Sequence, residues 1–202
     1  MAHAEAKISF RPLQEADLPL LHEWLHRPHV AEWWGNAPSL TTLDDTRKKY
    51  LPRIAEDSHI KGYIASLEGK PLGFIQSYSA IESGGGWWED ETDPGVRGTD
   101  QFLGDVETLG YGLGAKMVSA FVTHLFEDAS VTRVQTDPDP RNARAIRCYE
   151  KAGFRTVREV STPYGPALLM VAERQARTGQ VTVRSNPSLH RTRLRRAGEL
   201  ER

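Results

Sequence analysis

The chain has 202 residues, of which 39% are hydrophobic and 26% are charged, a size and composition typical of one globular domain. No run of 18 apolar residues occurs and the N-terminus lacks an apolar signal region, so we expect a cytoplasmic protein without a membrane-spanning helix. The single cysteine, Cys148, cannot form an internal disulfide, and no Cys/His spacing indicates a metal site.

The formal charge of -1 is unevenly distributed along the chain. Residues 174–202 hold eight arginines against two glutamates, a net +6, which leaves -7 on residues 1–173. An acidic body favours cationic small molecules and disfavours nucleic acid. The basic segment has no aromatic residue to stack on a base. We therefore expect one domain over residues 1–173 and a solvated basic tail over 174–202, with nucleic-acid binding by the tail as the weaker alternative.

Local signals in the first half of the chain predict a strand, two helices and a hairpin. A helical pattern of apolar residues begins at Asp17. Thr42 followed by Asp45 is typical of a capped helix N-terminus. In chain order, the predicted elements are a strand at 8–12, a helix from 17, a loop or short helix at 32–35, a helix from 42, and a hairpin of strands 63–67 and 72–78.

A long loop is predicted over residues 83–95. It carries two tryptophans, Trp87 and Trp88, and four carboxylates. Loops of this length in a compact domain are usually functional or disordered, and the tryptophans argue against disorder.

The second half of the chain alternates strands and helices. Leu113 and Met117 begin an apolar repeat of four residues in one helix, and Gly153 ends the next. In chain order, we expect a strand at 100–103, a helix opened by the turn 109–114, a strand at 131–136, a helix at 141–152, and a hairpin of strands 157–160 and 167–171. This order predicts one α/β sheet with helices on both faces.

The turn that opens the first of these helices contains Gly110, Gly112 and Gly114. Glycines let the backbone approach a ligand closely, and the free N–H groups of a helix N-terminus favour a phosphate. The spacing is neither that of a P-loop nor that of a dinucleotide fingerprint. From the turn alone, pyrophosphate binding and tight packing both remain open.

The stretch Asn142-Ala-Arg-Ala-Ile-Arg-Cys-Tyr-Glu-Lys-Ala-Gly-Phe154, some thirty residues after the glycine turn, resembles the Gcn5-related N-acetyltransferase (GNAT) superfamily. The resemblance implies a mixed sheet of about six to seven strands, splayed between the fourth and fifth to admit the pantetheine arm of acetyl-CoA. Leu109 departs from the Gln or Arg of the family's turn, which matters little where backbone N–H groups hold the pyrophosphate. The implied cofactor-binding residues are Phe102, Leu103, Tyr111, Gly112, Leu113, Gly114, Ala115, Lys116 and Asn142.

Longer stretches narrow the resemblance to aminoglycoside 6′-N-acetyltransferases of the Ib type. The matching segments are 32–35, 87–103 and 135–138, within a likeness that runs from about residue 8 to 173. Two positions depart from it, since Gly85 and Tyr164 stand where an aspartate is expected. The resemblance implies acetylation of a kanamycin- or tobramycin-like drug, and therefore antibiotic resistance.

A pocket for such a drug needs carboxylates for the ammonium groups and flat aromatic rings for the sugar faces. Residues of both kinds fall on loops or strand ends that we expect at one edge of the sheet. Which tryptophan of each adjacent pair faces the ligand stays open. The predicted substrate-binding residues are Trp34, Tyr50, Trp87, Trp88, Glu89, Asp137, Asp139 and Tyr164.

The implied reaction is direct transfer of the acetyl group to a primary amine. Asp100, expected at the start of the central strand, would accept the amine proton, directly or through water. Backbone N–H groups at that strand start would polarise the thioester carbonyl. The resemblance places Tyr149 near the sulfur as the proton donor to the leaving thiolate. Cys148 is expected to pack elsewhere and has no assigned role.

Two other functions remain open at this level. The acetyl-donor motifs alone cannot separate drug acetylation from acetylation of a protein N-terminus, a polyamine or a siderophore hydroxylamine. A non-catalytic acyl-CoA-binding protein is the alternative of a different class, and the Asp100/Tyr149 pair argues against it. We expect a monomer that uses no metal and binds neither nucleic acid nor a membrane.

Overall fold

The computed structural model describes residues 7–35 and 39–174, which form one mixed sheet with helices on both faces. The strands are β1 (Ile8–Pro12), β2 (Ile60–Leu67), β3 (Lys70–Ser79), β4 (Val96–Leu103), β5 (Arg133–Thr136), β6 (Arg155–Thr162) and β7 (Gly165–Glu173). The helices are α1 (Leu18–Leu25), α2 (Pro28–Ala31), α3 (Leu43–Tyr50), α4 (Leu113–Leu125) and α5 (Ala143–Lys151). Short 3₁₀ turns lie at Glu15–Asp17, Leu51–Arg53 and Val106–Thr108.

The sheet has the strand order β1-β2-β3-β4-β5-β7-β6. Every neighbouring pair is antiparallel except β4 and β5, which run parallel. The predicted α/β class with a mixed sheet is confirmed.

The helices that flank the site begin and end where their capping residues dictate. At α3, the Thr42 hydroxyl accepts the Asp45 N–H at 3.1 Å, while the Asp45 carboxylate accepts the Thr42 N–H at 3.0 Å. At α5, the Asn142 side chain accepts the Ala145 N–H at 3.0 Å. Gly153 follows this helix with a φ of +98°, a conformation that glycine adopts without steric cost.

Apolar side chains bury both faces of the sheet. On one face, α1 and α3 pack through Leu21 and Tyr50 against Phe74 and Phe102. On the other face, the helix α4 packs through Met117 and Val118 onto the sheet, and α5 contributes Tyr149. Burial of apolar surface on both faces holds the sheet between two layers of helices.

The strand β4 begins at Val96, four residues before the predicted start. Arg97 and Gly98 are weak strand formers, but they pair with β3 on one side and β5 on the other, and this pairing overrides local propensity. Asp100 therefore lies in the strand interior, and the expectation that it begins the strand is wrong.

The parallel pairing of β4 and β5 ends after three residues. It joins Val96 to Arg133, Arg97 to Val134, and Gly98 to Gln135. Beyond Gly98, β4 stays paired with β3 alone, so its other edge over residues 99–103 faces a gap. The predicted splay between the fourth and fifth strands is confirmed.

The C-terminal end of the described chain is tied to the body by Arg174. Its guanidinium donates to the carbonyl oxygens of Phe126 at 2.7 Å and Val131 at 2.8 Å, and lies over the Phe126 ring. Arg174 therefore belongs structurally to the domain and not to the basic tail. The rest of the predicted tail, 175–202, lies outside the described residues. Among residues 7–35 and 39–174, no helix is long and apolar enough to cross a membrane.

Candidate active site

A cavity of about 1060 Å³ opens where β4 and β5 part. It is walled by the end of α3, the strands β3 and β4, the N-termini of α4 and α5, and the turn between β6 and β7. Most of the predicted site residues line it, namely Trp34, Trp87, Asp100, Phe102, Leu103, Gly112, Leu113, Gly114, Ala115, Asp137, Asp139, Asn142, Tyr149 and Tyr164.

Two carboxylates, those of Asp100 and Asp137, line the cavity and interact electrostatically. Each lies two residues beyond the last paired positions of β4 and β5, Gly98 and Gln135. Burial raises the pKa of both carboxyl groups, and the Asp100 charge raises the pKa of Asp137 further. Such a pair is stabilised by a cation between its members, which is what an ammonium group provides.

Asp100 has a polar partner on the neighbouring strand. Gln76 Nε2 donates to its Oδ2 at 2.8 Å, and Arg53 Nη1 donates to Gln76 Oε1 at 2.5 Å. Both partners line the cavity. Neither residue was predicted from the sequence, although Gln76 lies on the predicted hairpin.

Tyr149 is 5% exposed and faces the cavity from α5. Its ring packs edge-on against Phe154, and its side chain hydrogen-bonds with Thr136. Burial raises the pKa of its hydroxyl far above the ordinary value, so the group is protonated at neutral pH and can donate a proton.

The N-terminus of α4 faces the same cavity. Gly112 caps it with a φ of +76°, and the Lys116 N–H is the first to bond back to the Gly112 carbonyl, at 3.1 Å. The N–H groups of the three residues before Lys116 therefore precede the helix's own bonding pattern and can bind an anion. The side-chain oxygen of Asn142 accepts the capping hydrogen bond of α5, so its Nδ2 group remains able to donate to a ligand.

Two predicted cofactor residues do not line the cavity. Tyr111 is 78% exposed and lies in the turn before the helix. Lys116 is exposed, and its backbone N–H is already used by the helix. Their neighbours Gly110, Gly112 and Ala115 line the cavity, whereas these two side chains are exposed to solvent.

Three cations of α5 line the cavity and were not predicted. Arg144, Arg147 and Lys151 lie one helical turn apart along one side of the helix. Within the described residues, none of them forms an ion pair or side-chain hydrogen bond. They add positive charge to the end of the cavity that also holds the α4 N-terminus.

Tyr50 does not face the cavity, contrary to the prediction. Its side chain has no solvent exposure, and its hydroxyl accepts the indole N–H of Trp34 at 3.0 Å. Burial raises its pKa to about 12. Tyr50 thus holds Trp34, which does line the cavity, and belongs to the core because the apolar side of α3 packs on Phe74.

Of the tryptophans 87 and 88, only Trp87 lines the cavity. Its ring lies 5.7 Å from that of Tyr164, which is 67% exposed at the tip of the β6–β7 turn. Trp88 lies instead in a second, smaller cavity of about 510 Å³ on the side of β6 and β7, next to Tyr78. The prediction that Trp88 contacts the substrate is therefore corrected, whereas Trp33 and Trp34 both line the main cavity.

The carboxylates of the long loop do not line the main cavity. Glu89 is exposed beside the second cavity, so its predicted substrate contact is corrected. Glu91 pairs with Arg133, and Asp93 accepts the Thr132 hydroxyl at 2.7 Å. These contacts tie the loop to β5, and the sequence alone does not show which carboxylates they occupy.

The acidic lining comes from elsewhere in the chain. Besides Asp100 and Asp137, it consists of Asp139 and Glu32, and the sequence analysis assigned no role to Glu32. Arg141 pairs with Asp139 at 2.7 Å and lowers the pKa of that carboxyl group. No group of three or more potential metal ligands occurs among residues 7–35 and 39–174.

Two further expectations about the reacting end need correction. Cys148 lines the cavity, 4.0 Å from the Gln101 side chain, and burial raises its thiol pKa to about 11. It packs against the apolar cluster that includes Tyr149 and Phe154, as expected, but it also lines the cavity and does not point away from it. The start of β4 is already paired with β5, so the edge of this strand that is open toward the gap lies at residues 99–103 and not at the strand start.

Comparison with known proteins gives one consistent family. The model of the acetyltransferase (GNAT) domain matches residues 14–162. The aminoglycoside N(6′)-acetyltransferase type 1 of Klebsiella pneumoniae is 51% identical over 176 residues, 87% of this chain and 88% of that protein. A kanamycin resistance protein of Rhizobium radiobacter is 62% identical over 92 residues, 46% of this chain and 85% of that protein.

Among solved structures, the aminoglycoside acetyltransferase AAC(6′)-Ib in complex with coenzyme A and kanamycin is 52% identical to this chain. The two structures agree with a TM-score of 0.78 over 83% of this chain and 95% of the other.

Proposed function

This chain belongs to the GNAT acetyltransferase family, and from that premise we propose that it is an aminoglycoside 6′-N-acetyltransferase that confers antibiotic resistance. It transfers the acetyl group of acetyl-CoA to the 6′-amino group of kanamycin- or tobramycin-like drugs. The observation that carries the proposal is the position of the paired Asp100 and Asp137 carboxylates, in the same cavity as the open edge of β4 and the N-terminus of α4.

The acceptor side of the cavity fits a polycationic sugar. Asp100, Asp137 and Glu32 supply negative charge, while Trp34 and Trp87 supply flat faces. Relatives of this chain that act on aminoglycosides match it over nearly the whole body, and this supports the same acceptor class here. The surplus of acidic groups in residues 1–173 points the same way.

The donor side fits acetyl-CoA. The N–H groups of Leu113, Gly114 and Ala115 suit a pyrophosphate, and the Asn142 Nδ2 group can donate to an amide carbonyl of the pantetheine arm. The gap beyond Gly98 leaves the edge of β4 free to pair with that arm. When bound, acetyl-CoA supplies the acetyl thioester.

Three side chains of this chain move or hold protons in the transfer. Asp100 and Asp137 hold the 6′-ammonium and take one proton from it, directly or through water, so that the nitrogen lone pair can attack. The new C–N bond forms as the C–S bond breaks. The Tyr149 hydroxyl gives its proton to the departing thiolate and regains one through water as the new amide nitrogen loses its second proton, while the proton taken by the carboxylate pair passes to solvent. Residues 99–103 of β4 polarise the carbonyl through backbone N–H groups.

The remaining properties follow from this assignment as parts of the same proposal. Residues 1–173 with Arg174 carry the acetyltransferase activity, and residues 175–202 are not needed for it. The protein acts as a monomer in the cytoplasm, where acetyl-CoA is made and where the drug meets its target. It binds neither nucleic acid nor a membrane.

A thiol-release assay with acetyl-CoA tests the function. The acceptor panel is kanamycin, tobramycin, gentamicin, spermine, a peptide with a free N-terminus, and an aminoglycoside with a hydroxyl group at the 6′ position. We expect thiol release with the drugs that carry a 6′-amine and none above background with the 6′-hydroxyl drug. Higher kcat/KM for spermine or the peptide than for every drug would overturn the proposal in favour of the other amine class.

The same assay separates chemistry from binding when variants are compared. Asp100→Asn and Asp137→Asn are expected to lose activity by about 10²-fold or more, with affinity for acetyl-CoA unchanged. Asp90→Asn removes an exposed carboxylate of the long loop, 3.8 Å from Arg158, and is the matched control with near-normal activity.

A further inference from the structure

A chain of polar side chains connects an arginine to the Asp100 carboxylate. Arg53 Nη1 donates to Gln76 Oε1 at 2.5 Å, and Gln76 Nε2 donates to Asp100 Oδ2 at 2.8 Å. Gln76 is 6% exposed, so the connection runs through a buried amide. Hydrogen bonds in such surroundings gain strength from the low local dielectric.

The strand register makes the second of these bonds a consequence of the fold. Gln76 on β3 lies directly opposite Asp100 on β4, so their side chains share one face of the sheet. An arginine can only donate, and it therefore fixes the Gln76 oxygen on its own side. The Gln76 amide group must then present its N–H to the carboxylate.

Arg53 is itself held in place. Its guanidinium lies 4.8 Å from the centre of the Tyr50 ring, and the Tyr50 hydroxyl accepts the Trp34 indole N–H. Arg53 thus joins the aromatic wall of the cavity to the carboxylate pair. A cation in the wall of the pocket repels a polycationic substrate, but it can also stabilise the ionised form of a nearby carboxyl group.

We propose that Arg53 and Gln76 are positioning residues for acetyl transfer, in which Arg53, acting through the Gln76 amide, keeps the Asp100 carboxylate ionised and aimed at the acceptor ammonium. This inference rests on the proposed function and adds to it the groups that prepare Asp100. Without them, two buried carboxylates side by side would share a proton, and one would no longer attract the ammonium.

Other titratable groups face Asp100 from the surrounding elements. They are Tyr50 of α3, Arg53, Tyr78 of β3, Tyr149 of α5 and Asp137 after β5. Burial raises the pKa of all three tyrosines, so they stay neutral through the neutral range. Asp137 changes charge there, and so does Lys49 of α3, which lines the cavity and whose pKa is lowered to about 8 by burial and by the Arg53 charge. A pH profile therefore reports the carboxylate pair together with Lys49, and a titration of the Asp100 carboxyl group itself is needed beside it.

The test is the pH dependence of kcat/KM for kanamycin in the full chain. In Arg53→Met, we expect the acidic limb to move up by about one pH unit, because an opposite charge near a carboxylate lowers its pKa by that order. Activity below the limb falls up to about tenfold, and the loss disappears at higher pH. Arg53→Lys keeps the charge and leaves the limb close to its position in the unmodified chain.

Two further variants complete the design. Gln76→Glu keeps the size of the side chain and the bond from Arg53, but turns a carboxylate towards Asp100, so the limb should move upward here too. Arg47→Met removes an exposed arginine of α3 that pairs with Asp44 at 3.2 Å and does not line the cavity. It should leave the profile unchanged.

Titration of ¹³C-labelled aspartate carboxyl groups by NMR supplies a readout that needs no acceptor. The Asp100 resonance should titrate at higher pH in Arg53→Met than in the unmodified chain. An unmoved resonance, together with an activity loss that is equal at every pH, would overturn the positioning role. If the unmodified chain acetylates no aminoglycoside but the resonance moves, the proposed function fails and the preparation of Asp100 stands.

Discussion

Asp100 and Asp137 combine opposite demands, because a carboxylate pair that attracts an ammonium is costly to bury. Burial raises the pKa of both groups above the unfolded value, and the Asp100 charge raises the pKa of Asp137 further. A carboxyl group with a raised pKa contributes stability that is present below the unfolded pKa and is lost as the pH rises through the folded pKa. The active site should therefore destabilise the fold at neutral and alkaline pH.

Asp137→Asn tests this trade-off. The free energy of unfolding of the variant should exceed that of the unmodified chain by about 1–2 kcal/mol at about pH 8, and the two should converge at about pH 4. Urea unfolding at both pH values measures the difference, with Asp90→Asn as the exposed control. A variant that is less stable at about pH 8 would show that the carboxylate makes a stabilising contact there.

Tyr149→Phe tests proton donation at the same scale. The ring and its contact with Phe154 remain, while the hydroxyl and its bond with Thr136 are lost. We expect kcat to fall about 10²-fold with both KM values nearly unchanged, because a general acid acts in the transition state alone. Steady-state kinetics check this, and a loss confined to KM would contradict the role.

At the scale of elements, α5 presents two kinds of side chain to the cavity. Tyr149 is the proposed proton donor, while Arg144, Arg147 and Lys151 form a positive edge on another side of the helix, and the N-terminus of α4 lines the same cavity. A helix N-terminus and unpaired cations beside one cavity form a surface that suits the phosphates of coenzyme A.

The double variant Arg144→Gln/Arg147→Gln tests that edge. Each exposed cation is worth about 1 kcal/mol to a bound phosphate, so KM for acetyl-CoA should rise about tenfold or more. KM for kanamycin should change little, and the effect should shrink at high salt. Arg158→Gln, an exposed arginine of β6 outside the main cavity, is the control. Equal KM values for acetyl-CoA in all three proteins would remove these residues from the donor site.

At the scale of the whole molecule, Arg174 ties the end of β7 to the body formed by residues 7–35 and 39–174. Its hydrogen bonds to the carbonyl groups of Phe126, Asp128 and Val131 fasten the end of β7 to the loop after α4. The family match covers residues 14–162 and thus lies within this body. Activity and stability should therefore depend on residues up to Arg174.

Deletion of residues 178–202 should leave the melting temperature and kcat/KM close to those of the full chain. Arg174→Ala is the contrasting variant and should lower stability by about 1–2 kcal/mol, because several carbonyl groups lose a charged donor. Thermal unfolding and the thiol-release assay measure both. A large loss on deletion would mean that the tail packs on the body or completes the site.

The features that could be predicted from the sequence were helix ends, which depend on neighbouring residues, and the family, which depends on a motif. The capping pair Thr42 and Asp45 predicted the start of α3, and Gly153 the end of α5, because these signals act over a few residues. The GNAT stretch around Tyr149 identified the family, and the splay and the acetyl donor followed from it. The two acids of the centre, Asp100 and Asp137, were also found from the sequence.

Only the tertiary structure decided which members of each residue class reach the cavity. Tyr50 is buried behind Trp34, Trp88 and Glu89 face the second cavity, and Gln76 reaches Asp100. Each outcome depends on strand register or on packing between distant segments. If the register of β3 against β4 shifted by one residue, the Gln76 and Asp100 side chains would lie on opposite faces of the sheet. Chain-local patterns carry no record of that register, so the partners of Asp100 appeared only when β3 and β4 were paired.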